Sequence, residues 1–187
     1  DSTLSGFASS SAFCHFRARV FVLDGRNEPH PEGISDSLQP TSIYALGHSL
    51  WSLGAISLRG RFGYGVSITA EQTVEVLESI YPSLDAEVVY DFSWDDVKTA
   101  LAQGYPVIAP AAGRELGNPN FTAPGPLYHM LVIKGYTADL VITNDPGTRK
   151  GADYTYSYNT LYDAIHDWND GAVTTGQKAI IIVKPNP

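Results

Sequence analysis

Residues 128–147 read YHMLVIKGYTADLVITNDPG and contain two apolar runs separated by a short polar connection. The first run follows His129, and the second ends just before Asn144 and Asp145. Short apolar runs of this kind favour β-strands, and the connection at 135–139 is short enough to join neighbouring antiparallel strands. In such a hairpin the start of one strand lies beside the end of the next. We therefore predict that His129 lies within hydrogen-bonding distance of Asp145 or Asn144.

An imidazole that is hydrogen-bonded to a carboxylate has a fixed tautomer and orientation, which is what a general base requires. The sequence therefore makes His129 a candidate base and Asp145, or alternatively Asn144, the group that orients it. Pro146 and Gly147 shape the turn that follows. The other interpretation is that an ordinary strand-end histidine precedes a common Asx-Pro-Gly turn.

Three start signals predict helices upstream of this hairpin. Thr69 with Gln72 has the spacing of a capping box, and Ser93 with Asp96 caps a short second helix. A further helix is predicted to begin at Pro40, because proline lacks the N–H that the first helical turn leaves unbonded. Helices therefore precede most of the sheet.

The remaining apolar runs predict strands, and the order of elements is that of an α+β fold with an antiparallel sheet. Alternating Tyr154, Tyr156 and Tyr158 favour a strand or the wall of a groove. Residues 1–37 are predicted to be a leader, a strand and a loop, and residues 38–187 to be the main domain. The predicted strands are 86–92, 105–109, 130–134, 140–143 and 178–184, with a helix at 160–168.

The composition excludes several classes of function. With 43% hydrophobic and 17% charged residues and a net charge of -8, the chain is a folded acidic protein. Its Lys and Arg residues are dispersed, which excludes nucleic acid as a partner. No apolar run approaches the ~18 residues of a membrane-spanning helix. No cofactor or metal is predicted, because no third ligand accompanies His166 and Asp167.

The chain contains a single cysteine, Cys14, so an intrachain disulfide is impossible. It begins with Asp1 rather than methionine, which we interpret as the result of processing or trimming. We expect a secreted or extracytoplasmic location.

Three strings in a fixed order resemble the C39-like peptidases, a branch of the papain-like cysteine peptidases. They are GYPVIAPAAG at 104–113, YHMLVIKGY at 128–136 and VITNDPG at 141–147. The resemblance extends over roughly residues 38–184. It implies a papain-like fold whose central helix packs on an antiparallel sheet, with a peptide-binding groove between them. In that groove His129 would be the base and Asp145 the orienting residue.

The resemblance also implies a cysteine at the start of the central helix, in a pattern such as C-x-P-x-S. The helix N-terminus and the imidazole together lower the pKa of such a thiol. In this chain the corresponding residues are LQPTS at 38–42, so Leu38 occupies the cysteine position. The family's upstream oxyanion-stabilising glutamine is also missing, since no glutamine precedes Gln39.

Three interpretations follow from this departure. In the first, which we favour, the chain is a pseudopeptidase that binds a peptide or protein in the groove without cleaving it. In the second, Ser37 is the nucleophile of a hydrolase that cleaves peptide or amide bonds, either as a natural serine or as an engineered replacement for cysteine. In the third, Cys14 supplies the thiol. The two classes of function left open are thus a binding module and a peptidase-like enzyme.

Overall fold

The structure, a computed structural model, describes residues 67–186. The helix predicted from Pro40, the strand near Cys14, the positions of Ser37 and Leu38, and the domain boundary between them lie outside the described residues. The described part contains a six-stranded sheet whose paired strands are all antiparallel, together with three α-helices. The predicted α+β class and the antiparallel sheet are therefore confirmed.

The strands are arranged in the order β1-β6-β2-β3-β4-β5 across the sheet. Along the chain the elements are α1 (Ala70–Ile80), β1 (Leu84–Tyr90), α2 (Trp94–Ala102), β2 (Val107–Ala112), β3 (Tyr128–Tyr136), β4 (Leu140–Asn144), β5 (Tyr154–Ser157), α3 (Tyr158–Ala164), a 3-10 turn (Val173–Thr175) and β6 (Ala179–Pro185).

The predicted capping box at Thr69 and the predicted cap at Ser93 are both present, and each is a full capping box at the start of α1 or α2. The Thr69 hydroxyl accepts the N–H of Gln72, whose side chain accepts the N–H of Thr69. Ser93 and Asp96 make the same reciprocal pair before α2. These contacts satisfy N–H groups that the first helical turn leaves without backbone partners.

The sheet separates two hydrophobic clusters. Successive side chains of β3 point alternately into one cluster and the other. Leu131 and Ile133 pack in the cluster that includes α2 and α3. Val132 and Met130 lie in the cluster formed with α1 on the opposite face. Because side chains alternate between faces along a strand, His129 lies on the same face as Leu131.

Strand β2 begins two residues later than predicted, because the N–H of Tyr105 bonds to the carbonyl of Ala100 at the end of α2. It also continues through Pro110, although proline is rare in central strands. The Pro110 carbonyl accepts the N–H of His166. The side of Pro110 that carries its nitrogen and its carbonyl therefore faces the segment after α3 and not β3. The missing N–H therefore costs no β2–β3 hydrogen bond.

The prediction of a helix over 160–168 is wrong at both ends. Helix α3 spans Tyr158–Ala164, so Tyr158 is helical and does not continue the strand. Ile165 is extended, with φ -66° and ψ 115°, and it forms a β-bridge with Ala111. The N–H of Asp167 then bonds to the carbonyl of Gln177. The segment after α3 leaves the helix because its backbone groups have partners elsewhere in the fold.

Candidate active site

The β3–β4 hairpin brings His129 and Asp145 together. His129 is the second residue of β3, and Asp145 directly follows β4. The two strands are antiparallel, with Val132 opposite Asn144. The Nε2 atom of His129 lies 2.8 Å from Oδ1 of Asp145, in agreement with the contact expected from the sequence. Both residues are buried, with 6% and 2% of their surfaces exposed.

The carboxylate of Asp145 accepts hydrogen bonds on both oxygens. Oδ1 accepts from Nε2 of His129 and from the N–H of Gly147, at 2.8 and 2.9 Å. Oδ2 accepts from the hydroxyl of Tyr156 at 2.9 Å and from the side-chain amide of Asn118 at 3.2 Å. The buried charge is therefore surrounded by donors from four different parts of the chain, as a buried charge requires.

These donors set the ionisation of Asp145. Burial raises the pKa of Asp145, but the hydrogen bond and charge of His129, with the contacts from Gly147 and Tyr156, outweigh burial and hold that pKa below its usual range. Burial, and then the charge of Asp145, raise the pKa of Tyr156. Asp145 is thus an anion at neutral pH, while Tyr156 remains a neutral donor.

The orientation of the imidazole leaves one nitrogen for chemistry. Nε2 faces a carboxylate, which accepts hydrogen bonds but cannot donate them when ionised. The neutral ring of His129 therefore carries its proton on Nε2, and Nδ1 holds the free lone pair. That is the arrangement of a base whose partner fixes the tautomer.

Gly147 makes room for the imidazole. A Cβ atom at this position would lie 2.8 Å from Cε1 of His129 and 2.9 Å from Cε1 of Phe121. Only glycine allows the turn after Asp145 to donate its N–H to Oδ1 while packing this closely against the ring. The close approach fits the sequence-based inference that Gly147 shapes the turn.

The connection between β2 and β3, residues 113–127, contributes two further contacts to the pair. Asn118 reaches Asp145, and the ring of Phe121 packs edge-on against the imidazole of His129 with ring centroids 5.2 Å apart. Long connections without regular structure are uncommon in compact domains and are usually functional. This connection holds both members of the pair.

Asn144, the alternative partner for His129, has a different set of contacts. Its Oδ1 accepts the N–H of Asp153 at 3.4 Å, and its buried Nδ2 has no hydrogen-bond partner among residues 67–186. It is paired with Val132, which lies on the face opposite to His129. The structure therefore assigns the contact with His129 to Asp145.

His166 and Asp167 have separate roles. The Nδ1 atom of His166 contacts the carbonyl of Ala164, whereas Oδ1 of Asp167 accepts the N–H groups of Ala70 and Trp168, each at 2.7 Å. Within residues 67–186 no group of three or more His, Cys, Asp or Glu side chains is arranged to hold a metal ion. In the same part of the chain, no helix has the length and apolar character needed to cross a membrane.

The sequence did not single out Asn118 or Phe121, and it indicated only a strand or groove wall for Tyr156. Asn118 lies 27 residues before Asp145, in a segment without periodicity, so its contact has no local signal. The length of the connection at 113–127 is the one feature that could have drawn attention to it. For Tyr156, the alternation along its strand was a usable signal.

Comparisons with known proteins add the following findings. A family model described as "Peptidase_C39 like family" matches residues 56–172, which include His129 and Asp145 but not Ser37 or Leu38. A solved structure from Bacillus anthracis, described as a C39-like peptidase, is similar at 15% identity and a TM-score of 0.46. The similarity covers 65% of this chain and 62% of that one, less than two thirds of its length. No curated protein matches the chain significantly.

Proposed function

Because the chain belongs to the C39-like peptidase family, we propose that it is a papain-like peptidase homologue that binds an extended peptide beside His129 and Asp145 without cleaving it. The observation that carries the proposal is the buried contact of 2.8 Å between His129 Nε2 and Asp145 Oδ1. In this proposal His129 corresponds to the base and Asp145 to the orienting carboxylate of a hydrolytic site, and their contact supports those roles.

The papain-like arrangement supplies the rest of the proposed site. The central helix would begin near Pro40, and its free N–H groups would carry the positive end of the helix dipole. The groove would run between that helix start and the β3 strand that holds His129. A peptide in this groove would lie next to Nδ1, the nitrogen that does not face Asp145.

The absence of cleavage follows from the residue at the family's cysteine position. Leu38 has a hydrocarbon side chain, which carries no proton that a base can remove and no lone pair for attack on a carbonyl. With Leu38 there, His129 has no thiol to activate. Binding would remain, because peptide recognition does not depend on the nucleophile.

A hydrolase is the second candidate, and the complete hydrogen bonding of Asp145 favours it. Burying an ionised carboxylate behind a histidine costs desolvation free energy. A role in orienting a base would explain why the fold keeps that carboxylate. In this alternative Nδ1 of His129 removes the proton of Ser37 Oγ, and Oγ attacks the peptide carbonyl. The acyl-enzyme that forms as the amine leaves is then hydrolysed by water, which regenerates the serine.

Peptide binding and peptide cleavage by the same preparations distinguish these candidates. A library of fluorescent peptides should bind to the unaltered chain and remain intact. Leu38→Cys, made together with Cys14→Ser, should cleave the peptides that bind, and adding His129→Ala should abolish that cleavage. Cys14→Ser alone is the matched control and should bind peptide as the unaltered chain does.

Three outcomes would change the assignment. Cleavage by the unaltered chain that disappears in Ser37→Ala would establish the hydrolase, and cleavage that disappears in Cys14→Ser would make Cys14 the nucleophile. If no peptide binds and none is cleaved, even by Leu38→Cys, both candidate functions are wrong.

A further inference from the structure

We propose that Tyr156 and Asn118 are positioning residues that keep the Asp145 carboxylate ionised and directed at His129. The inference rests on the proposed role of His129 as a base. It is carried by the geometry around Oδ2 of Asp145, which accepts from the Tyr156 hydroxyl at 2.9 Å and from Nδ2 of Asn118 at 3.2 Å.

The three side chains form a closed arrangement. Nδ2 of Asn118 also lies 2.9 Å from the hydroxyl of Tyr156, so each member contacts the other two. Asn118, Tyr156 and Asp145 expose 6%, 4% and 2% of their surfaces. Solvent therefore contributes little to this side of the carboxylate, and the donors must come from the protein.

The orientation of the Asn118 amide is determined by its second contact. Its Oδ1 accepts the backbone N–H of Asn120 at 2.9 Å and the side-chain amide of Asn120 at 3.0 Å. A flipped amide would lose both bonds and would place an oxygen against the oxygen of Asp145. Asn118 therefore presents a donor, and only a donor, to the carboxylate.

These donors have two consequences for His129. They hold Oδ2, so the carboxylate cannot rotate and Oδ1 stays in line with Nε2. They also stabilise the anion, because hydrogen bonds to the ionised form lower the pKa of a carboxyl group. Asp145 then acts as a fixed counter-ion for the imidazolium and does not itself accept the proton.

The positioning residues come from parts of the fold that supply neither member of the pair. Tyr156 lies in β5, opposite Val141 of β4, and Asn118 lies in the connection between β2 and β3. The pair itself is on the β3–β4 hairpin. The neighbouring strand and the connection thus fix a geometry that the hairpin alone would leave free to rotate.

The test is a pH titration of the Asp145 carboxyl carbon by NMR, with the signal assigned by Asp145→Asn. The variants are Tyr156→Phe, Asn118→Ala and their combination. Tyr154→Phe is the matched control, since its ring lies 4.9 Å from that of Tyr156 on the same strand and its hydroxyl has no hydrogen bond within residues 67–186. The nitrogen shifts of His129, read in the same samples, report its tautomer.

In the unaltered chain, Asp145 should remain ionised below the usual range of an aspartate, and His129 should hold its proton on Nε2. Both single variants should shift the Asp145 midpoint upward, the double variant should shift it furthest, and the control should not shift it. The double variant should also show a mixture of His129 tautomers. Among residues 67–186, His129 and Tyr156 are the titratable side chains that hydrogen-bond to Asp145, so the His129 titration is followed in parallel.

An Asp145 midpoint that stays unchanged in both single variants would overturn the proposal, as would an equal shift in Tyr154→Phe. Asn118→Ala keeps the test valid if Tyr156→Phe does not fold. Because the measurement needs no peptide, it can fail while peptide binding succeeds, or succeed while peptide binding fails. The two proposals are therefore tested separately.

Discussion

Gly147 lies close to both the imidazole of His129 and the ring of Phe121. Because an added Cβ atom would lie under 3 Å from carbon atoms of both rings, we expect Gly147→Ala to displace His129 from Asp145. Overpacking of this kind costs about 1–3 kcal/mol of unfolding free energy. Urea denaturation measures that loss, and the nitrogen shifts of His129 report the broken contact.

Gly135→Ala is the matched control for this substitution. Its Cβ atom would lie 3.6 Å from Cδ1 of Ile142, an ordinary contact distance, in the same strand as His129. Equal unfolding free energies for Gly147→Ala and Gly135→Ala would show that the close approach to His129 is not as described.

The charge of Asp145 makes a prediction about stability and pH. Because the folded-state pKa of Asp145 is below its usual range, ionised Asp145 stabilises the fold. That contribution is complete above the unfolded-state value of about 3.9 and is lost as pH falls through the folded-state value. Asp145→Asn should therefore be less stable than the unaltered chain at neutral pH, and the difference should shrink below about pH 3.9.

Chemical denaturation at a series of pH values measures this difference directly. A gap between the two proteins that stays constant or widens as the pH falls below about 3.9 would contradict the ionised state assigned to Asp145.

At the level of elements, Asp167 connects the segment after α3 to the start of α1. Its Oδ1 accepts the N–H of Ala70, the first residue of α1, and the N–H of Trp168. Thr69 caps the same helix through its hydroxyl. The helix therefore has a local cap and a distant one, and the distant one joins elements far apart in sequence.

We expect the distant cap to contribute more stability than the local one. Thr69→Ala should cost about 1 kcal/mol of unfolding free energy, the usual value for an N-cap. Asp167→Ala leaves two N–H groups without a charged partner and should cost about 3 kcal/mol. Asp167→Asn, which keeps an oxygen acceptor, should fall between them. Urea denaturation checks the order, and a larger loss for Thr69→Ala would reverse the assignment.

The elements that the sequence predicted well are those with local signals. The capping residues Thr69 and Ser93 begin α1 and α2 as expected, and the β3–β4 hairpin forms where two apolar runs flank a short connection. The end of α3 was predicted too late because it depends on the bridge between Ile165 and Ala111. That contact joins distant segments, so no helical periodicity reveals it.

For the molecule as a whole, the sequence predicted the part of the site that depends on local contacts, and it missed the part that depends on contacts between distant segments. His129 and Asp145 lie on one hairpin, so the spacing of 16 residues was enough to bring them together. Asn118 and Tyr156 reach Asp145 from outside that hairpin, and their positions depend on how the sheet and the long connection assemble. A single sequence carries no short-range pattern for such contacts.

The proposed groove would require the start of the helix at Pro40 to lie opposite the strand that holds His129. If the start of the helix at Pro40 faces His129, a thiol placed there experiences both the imidazolium and the positive end of the helix dipole. Both stabilise a thiolate, so the pKa of that thiol should fall. The nucleophile position of the family would then be identified by its effect on a titration, without any substrate.

The deciding measurement is the ultraviolet absorbance of the thiolate against pH for Ser37→Cys and Leu38→Cys, each combined with Cys14→Ser. We predict that one of the two thiols titrates well below the free value of about 8.5, and that adding His129→Ala moves it back towards that value. If both thiols titrate near 8.5, with or without His129, the helix start does not face His129 and the proposed papain-like groove is wrong.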